Sequence, residues 1–261
     1  MKDKRNEQSD IPTVSLGAHG IRLEDTNVWN YRDVPNALIS GHVGTGKSVL
    51  LASVIRQLVA RQTDLIVIDT KAVYLSELKQ LTLLRDNVFS GFEGTIDGIN
   101  KFYDSMISVR DKHLGAVVEP HFLVIDELSF FVEQGNRLSF ADDKRENYEQ
   151  ALGRLTDIAL MGHELGFNLI VSTVMPSLEF MPSILRNQLT LRVVMGVPSA
   201  DVACMMFGDV VKNVRLSPHA KGFGIFKNGS DDVDVFSPLK LPTDFNLVDY
   251  VRQSLPTQES V

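Results

Sequence analysis

The chain has 261 residues, 44% hydrophobic and 23% charged, the balance of a globular protein with a sizeable buried core. A net charge of −7 and a pI near 5.4 exclude the broad basic coat of a stand-alone nucleic-acid-binding domain, so any contact with a polyanion must be local. The single cysteine, Cys204, excludes an intramolecular disulfide and argues against a structural zinc site; beside Met205, Met206 and Phe207 its thiol is expected to be buried.

No apolar run reaches the ~18 residues of a membrane span, and the start, MKDKRNEQSD, lacks a signal-peptide core, which predicts a cytoplasmic protein. Residues 1–20 read as a disordered or extended segment, 21–245 as one folded domain and 246–261 as a C-terminal tail. Ala37–Ser40 is a short apolar strand that runs into a Gly-rich loop. Val49–Ala60 then carries Leu50, Leu51, Val54, Leu58 and Val59 at helical spacing. Leu65–Ile68 is a buried strand closed by Asp69, and Ser76–Leu84 and Ile96–His113 read as helices. Phe122–Ile125 is a strand closed by Asp126 and Glu127. Tyr148–Leu165 is a helix ended by Gly166, and Leu169–Ser172 and Leu191–Met195 are further strands. Uninterrupted apolar strands separated by helices predict a three-layer α/β fold with a mainly parallel central sheet. Gly222–Phe226 and Val233–Phe236 flank Asn228-Gly229, which predicts an antiparallel hairpin at the sheet edge.

Gly41-His42-Val43-Gly44-Thr45-Gly46-Lys47-Ser48, followed by Val49, fits the phosphate-binding loop G-x-x-x-x-G-K-[ST] at each defined position. Glycines let the backbone curl so that successive N–H groups face phosphate oxygens, and the helix behind adds its positive end. Lys47 is predicted to reach the β- and γ-phosphates of ATP, and the Ser48 hydroxyl to bind Mg²⁺. The competing reading is a chance Gly-rich turn between strand and helix. His121–Ile125 delivers Asp126 and Glu127 to the carboxyl edge of the sheet, where α/β proteins bind ligands. Asp126 is predicted to hold the Mg²⁺ shell, and Glu127 to orient and deprotonate the attacking water. Two solvated acids at a strand end are the alternative. Thr173, after Leu169–Ser172, either senses the γ-phosphate or caps the turn before Pro176.

Together these segments resemble the motor domain of the FtsK/SpoIIIE family, a RecA-like P-loop NTPase, from about Val34 to Pro238. The resemblance rests on VPNALISGHVGTGKSVLLASVIRQL, on LIVIDTK with its Asp69-x-Lys71 ending, and on KFYDSMISVRDKH before FLVIDEL. It continues in GRLTDIALMGHELGFNLIVSTVMPS, ILRNQLTLRVVMGVPSADVACMMFG and KGFGIFKNGSDDVDVFSP. Val174-Met175-Pro176 departs from the family's usual Gln-Arg-Pro. The resemblance implies a homo-oligomeric ring, usually hexameric, that hydrolyses ATP at subunit interfaces and drives double-stranded DNA through its pore. On conjugative elements it implies docking to a membrane-bound transfer complex. Related members drive protein export, as in type VII secretion; a nucleotide-gated accessory subunit is a third reading. The resemblance also implies an arginine acting in trans, with Arg192 at a family-like position and Arg154 and Arg186 as further candidates. Glu133–Gln150 is longer than the pattern requires: either a pore loop presenting Arg137, Lys144 and Arg145, or a solvated insertion. Lys212, Arg215, His219 and Lys221 form a short basic stretch for which a solvated loop is the default reading and contact with DNA the alternative.

Overall fold

The computed structural model describes residues 20–23, 27–112, 119–208, 223–229, 232–237 and 245–255. A small hairpin of β1 (Gly20–Arg22) and β2 (Val28–Asn30) precedes β3 (Ala37–Ser40), the phosphate loop and α1 (Lys47–Ala60). Next come β4 (Asp64–Asp69), two 3₁₀ turns, β5 (Val88–Ser90), α2 (Gly91–Lys112) and β6 (His121–Asp126). The chain continues through α3 (Leu128–Asn136), α4 (Asp143–Met161), β7 (Phe167–Thr173), α5 (Ser183–Gln188), β8 (Leu191–Met195) and α6 (Ala200–Phe207). It closes with β9 (Gly224–Asn228), β10 (Asp234–Phe236) and α7 (Leu247–Arg252).

One sheet runs in the order β10-β9-β8-β3-β7-β6-β4-β5. Strands β8 through β5 are parallel, and β9 and β10 add antiparallel at one end. This is the three-layer α/β architecture with an edge hairpin that the apolar runs predict. Strand alternation divides the core. Leu65, Val67, Phe122 and Val124 face α1, α7 and the β1–β2 hairpin; Ile66, Ile68, Leu123 and Ile125 face α2, α3 and α4. Gln57 of α1 accepts from Arg22 N at 2.8 Å and donates to Arg22 O at 2.9 Å, which fixes the hairpin on the helix.

Three expectations change. Ser76–Leu84 forms no α-helix: 3₁₀ turns cover Leu75–Gln80 and Arg85–Asn87. Leu75, Leu78, Leu81 and Leu84 are all buried, a repeat of three that matches 3₁₀ rather than α periodicity. The segment assigned to a tail from 246 begins as α7. Asn246 caps it by accepting from Asp249 N, and Leu247, Val248 and Val251 are buried against α1, so the packed unit extends beyond 245. Cys204 is exposed, because Val202, Ala203, Met206 and Phe207 take the inner face of α6.

Glu133–Gln150 is mostly helical, spanning the end of α3 and the start of α4. Its cations are paired nearby: Arg137 with Glu133 at 2.7 Å, Lys144 with Glu93 at 2.7 Å and Arg145 with Glu149 at 2.6 Å. These pairs lie largely at the surface, as expected of the solvated insertion. Residues 1–19 and the stretch holding Lys212, Arg215, His219 and Lys221 lie outside the described residues. Among the described residues, no helix is long and apolar enough to cross a membrane.

Candidate nucleotide site

Strand β3 lies between β8 and β7, and the loop that leaves its carboxyl end curls over the sheet edge. Gly41 has φ 148°, and a Cβ there would sit 2.6 Å from Met195 O and 2.8 Å from Thr45 Oγ1, so only glycine fits. Gly46, the residue before α1, is left-handed at φ 104°, and among the described residues no side chain caps the first turn of the helix. Its leading N–H groups are therefore left for an anion such as phosphate to satisfy. Thr45 Oγ1 donates to His42 O at 2.7 Å and pins the loop. Val43 and Gly44 form its exposed tip. Lys47 is buried, and its Nζ donates to Gly41 O at 2.6 Å and His42 O at 3.3 Å. Burial lowers its pKa, and the nearby Glu127 and Asp126 carboxylates oppose that shift.

Strand β6 ends two strands away from β3, with β7 between them. Burial raises the pKa of Asp126; a hydrogen bond from Ser172 opposes this, while Asp69 and Glu127 reinforce it. Ser172 Oγ donates to Asp126 Oδ1 at 2.5 Å and accepts from Glu127 N at 3.0 Å. Glu127 is buried, and its backbone is left-handed at φ 63°, a conformation that costs a non-glycine residue about 1–3 kcal/mol. Its Oε1 accepts from Ser129 Oγ at 2.5 Å and Val174 N at 2.8 Å, and Lys71 Nζ lies 3.4 Å from its Oε2. Thr70 Oγ1 donates to the carbonyls of Asp126 and Glu127, both at 2.9 Å.

The structure thus brings Lys47, Asp126 and Glu127 to one sheet edge. It assigns Thr173 differently: its hydroxyl donates to Met175 O at 3.1 Å, which is the turn-capping alternative. Its neighbour Ser172 is the residue that touches both acids. Arg192 sits at the opposite end of β8. It donates to the carbonyls of Leu189, Met205, Met206 and Arg186 at 3.0–3.3 Å, so it closes the ends of α5 and α6 and is spent inside the subunit. Arg154 is tied to Asp104 at 3.7 Å. Arg186 donates from Nη1 to Pro176 O at 3.2 Å, while its Nε is buried with no partner among the described residues. Asp69, expected only as part of a motif, accepts from the N–H groups of Val73, Tyr74 and Ser76 at 2.8–3.0 Å and shapes the turn that carries Lys71.

Among the described residues, no group of three His, Cys, Asp or Glu side chains could hold a metal ion by itself. Mg²⁺ is commonly held by one or two protein oxygens together with substrate phosphates. Ser48 and Asp126 are the hard oxygen donors available for it, and the glycine-only curl of the loop suits a triphosphate.

Residues 1–113, which include the loop and the Asp69-x-Lys71 turn, match the FtsK/SpoIIIE family. Over those residues the chain is similar to the FtsK/SpoIIIE family. The FtsK domain-containing protein YdcQ of Bacillus subtilis (strain 168) is 25% identical over 242 residues, which covers 87% of this chain and 48% of that protein. The DNA translocase FtsK of Borreliella burgdorferi is 24% identical over 197 residues, covering 66% of this chain and 24% of that protein. The chain therefore spans about half the length of the first relative and about a quarter of the second. Among solved structures, the pCW3 conjugation coupling protein TcpA, in a monomer form with ATPγS, superposes with a TM-score of 0.66. It is 16% identical and covers 90% of this chain and 69% of its own. The cytoplasmic domain of the Thermomonospora curvata type VII secretion ATPase EccC gives 0.58 at 18% identity, covering 85% of this chain and 28% of its own. At these identities the likeness establishes the fold alone, that of a P-loop ATPase.

Proposed function

We propose that this chain hydrolyses ATP and uses the energy to move DNA, double-stranded in the first instance, in plasmid or conjugative transfer. The observation that carries this reading is the convergence of Lys47, Asp126 and Glu127 at one buried sheet edge behind a glycine-curled loop. Lys47 is the ammonium that turns from its loop carbonyls to the β- and γ-phosphates. Residues Gly41–Val49 cradle the phosphates through backbone N–H groups. Ser48 and Asp126 hold Mg²⁺, which supplies charge neutralisation at the triphosphate. Glu127 orients the attacking water and accepts its proton as the oxygen bonds to the γ-phosphorus and ADP departs. Serving a polymer processively calls for a ring, and a hexamer acting in the cytoplasm at a membrane-bound transfer complex is the assembly we propose.

The test is ATP turnover by the purified chain with and without double-stranded DNA at two salt concentrations. Turnover is expected to rise with DNA, and the rise to shrink steeply as salt increases, because phosphate contacts release counterions. A rate indifferent to DNA at low salt would overturn the DNA reading.

A second reading, a motor for polypeptide export, draws on the segment after β7. Met175 is 37% and Leu178 61% exposed there, an apolar surface better matched to a peptide than to phosphates. Stimulation by a secreted peptide in place of DNA would decide for it.

A further inference from the structure

The Asp69-x-Lys71 turn places a cation against the residue that the proposed function uses as its base. We propose that Lys71 is a positioning residue that restrains Glu127 between turnovers and so suppresses hydrolysis until the loops around it move. This rests on the reading of Glu127 as the base.

The carboxylate of Glu127 is held at both oxygens. Oε1 already accepts from the Ser129 hydroxyl and the Val174 N–H, at 2.5 and 2.8 Å. The remaining oxygen, Oε2, faces the Lys71 ammonium at 3.4 Å. The three partners come from separate segments: the turn after β4, the first turn of α3 and the segment after β7. Glu127 is thus the point at which those segments are tied together.

The tie is built to break at Lys71. The Glu127 side chain is 6% exposed and that of Lys71 is 40% exposed. Lys71 lies at a cleft of about 210 Å³ lined also by Ser129, Phe130, Val174 and Phe180, with its ammonium 5.8 Å from the centre of the Phe130 ring. A half-exposed pair is weak and reversible, unlike a fully buried one. Movement of the 174–180 segment, which contains the exposed Met175 and Leu178, pulls Val174 N from Oε1. Movement of the 70–74 turn withdraws Lys71 from Oε2. Either releases the carboxylate to turn toward a water. A structural brace would be buried at both ends; this one is open to solvent at Lys71.

The test uses the full chain with Lys71→Met and Lys71→Arg. Without DNA, Lys71→Met is expected to hydrolyse ATP about two- to fivefold faster than wild type, the scale of losing one part-exposed ion pair. Its stimulation by DNA should shrink by the same factor, and Lys71→Arg should stay near wild type. Amide exchange at Val174, measured with no nucleotide, should quicken in Lys71→Met and remain unchanged in Lys71→Arg. A Lys71→Met rate equal to or below wild type, or unaltered exchange at Val174, would overturn the restraint. If wild-type turnover ignores DNA, the translocase reading falls while the basal comparison still decides the role of Lys71. If wild type shows no turnover, the base assignment falls and amide exchange still decides the restraint.

Discussion

Glu127→Gln is expected to slow ATP turnover by about a hundred- to ten-thousand-fold while leaving the nucleotide bound, the range associated with loss of a general base. The substitution is nearly isosteric. Its amide oxygen can still accept from Ser129 Oγ and Val174 N, so the first turn of α3 and the segment after β7 keep their anchor. What is lost is the capacity to take a proton from water. The left-handed backbone at φ 63° is a further reason to prefer Gln over a β-branched residue, which would add strain at that conformation. Steady-state phosphate release, paired with equilibrium binding of a fluorescent ATP analogue, separates the two effects. Equal turnover in variant and wild type would remove Glu127 from the chemistry, and loss of binding would make it a structural residue.

Lys47→Ala acts one step earlier, on binding. The Lys47 ammonium is buried, with only loop carbonyls as hydrogen-bond partners, and burial disfavours its charge. A triphosphate offers it formal negative charge in place of neutral oxygens, so its contribution is realised chiefly with ligand present. Loss of a charge-assisted bond of about 1.5–3 kcal/mol predicts that affinity for ATPγS falls about 10- to 150-fold by calorimetry. Thermal unfolding of the two proteins distinguishes a lost site from a lost fold. Retention of wild-type affinity would mean that the phosphates lie elsewhere.

Much of this site could be read from local pattern. The glycine spacing before Lys47 demands a curled backbone whatever surrounds it, and four apolar residues before Asp126 could only be a buried strand ending at the sheet edge. Non-local facts were out of reach. Ser172 and Thr173 are adjacent and chemically alike. Which one meets Asp126 depends on β7 lying beside β6 in a register that pairs Ile125 with Val171, so that Ser172 follows in line with Asp126. Arg192 shows the same limit. Its position in the chain suggests an interface, yet the helix ends that absorb its donors are assembled by tertiary packing of α5 and α6. The ion pair between Lys71 and Glu127 joins residues far apart in sequence and left no local trace beyond the Asp-x-Lys spacing.

Other features are local yet carry two readings. Leucines at 75, 78, 81 and 84 repeat every third residue, which is the 3₁₀ period rather than the α period. Leu247, Val248 and Val251 share one helical face and follow a capping Asn246, a short amphipathic signal in a stretch read as a tail. Cys204 lay among apolar neighbours, but a helix turns by 100° per residue, and its position on α6 faces outward.

The claim on which the rest depends is that one triphosphate contacts the Gly41–Ser48 loop and the Asp126–Glu127 strand end together. A crystal structure with ATPγS and Mg²⁺ measures this directly. Lys47 Nζ is expected to exchange Gly41 O and His42 O for phosphate oxygens, and the metal to be shared by Ser48 and Asp126. A nucleotide bound away from this edge, or one bound at the loop with Lys47 still on its carbonyls and the metal away from Asp126, would contradict it.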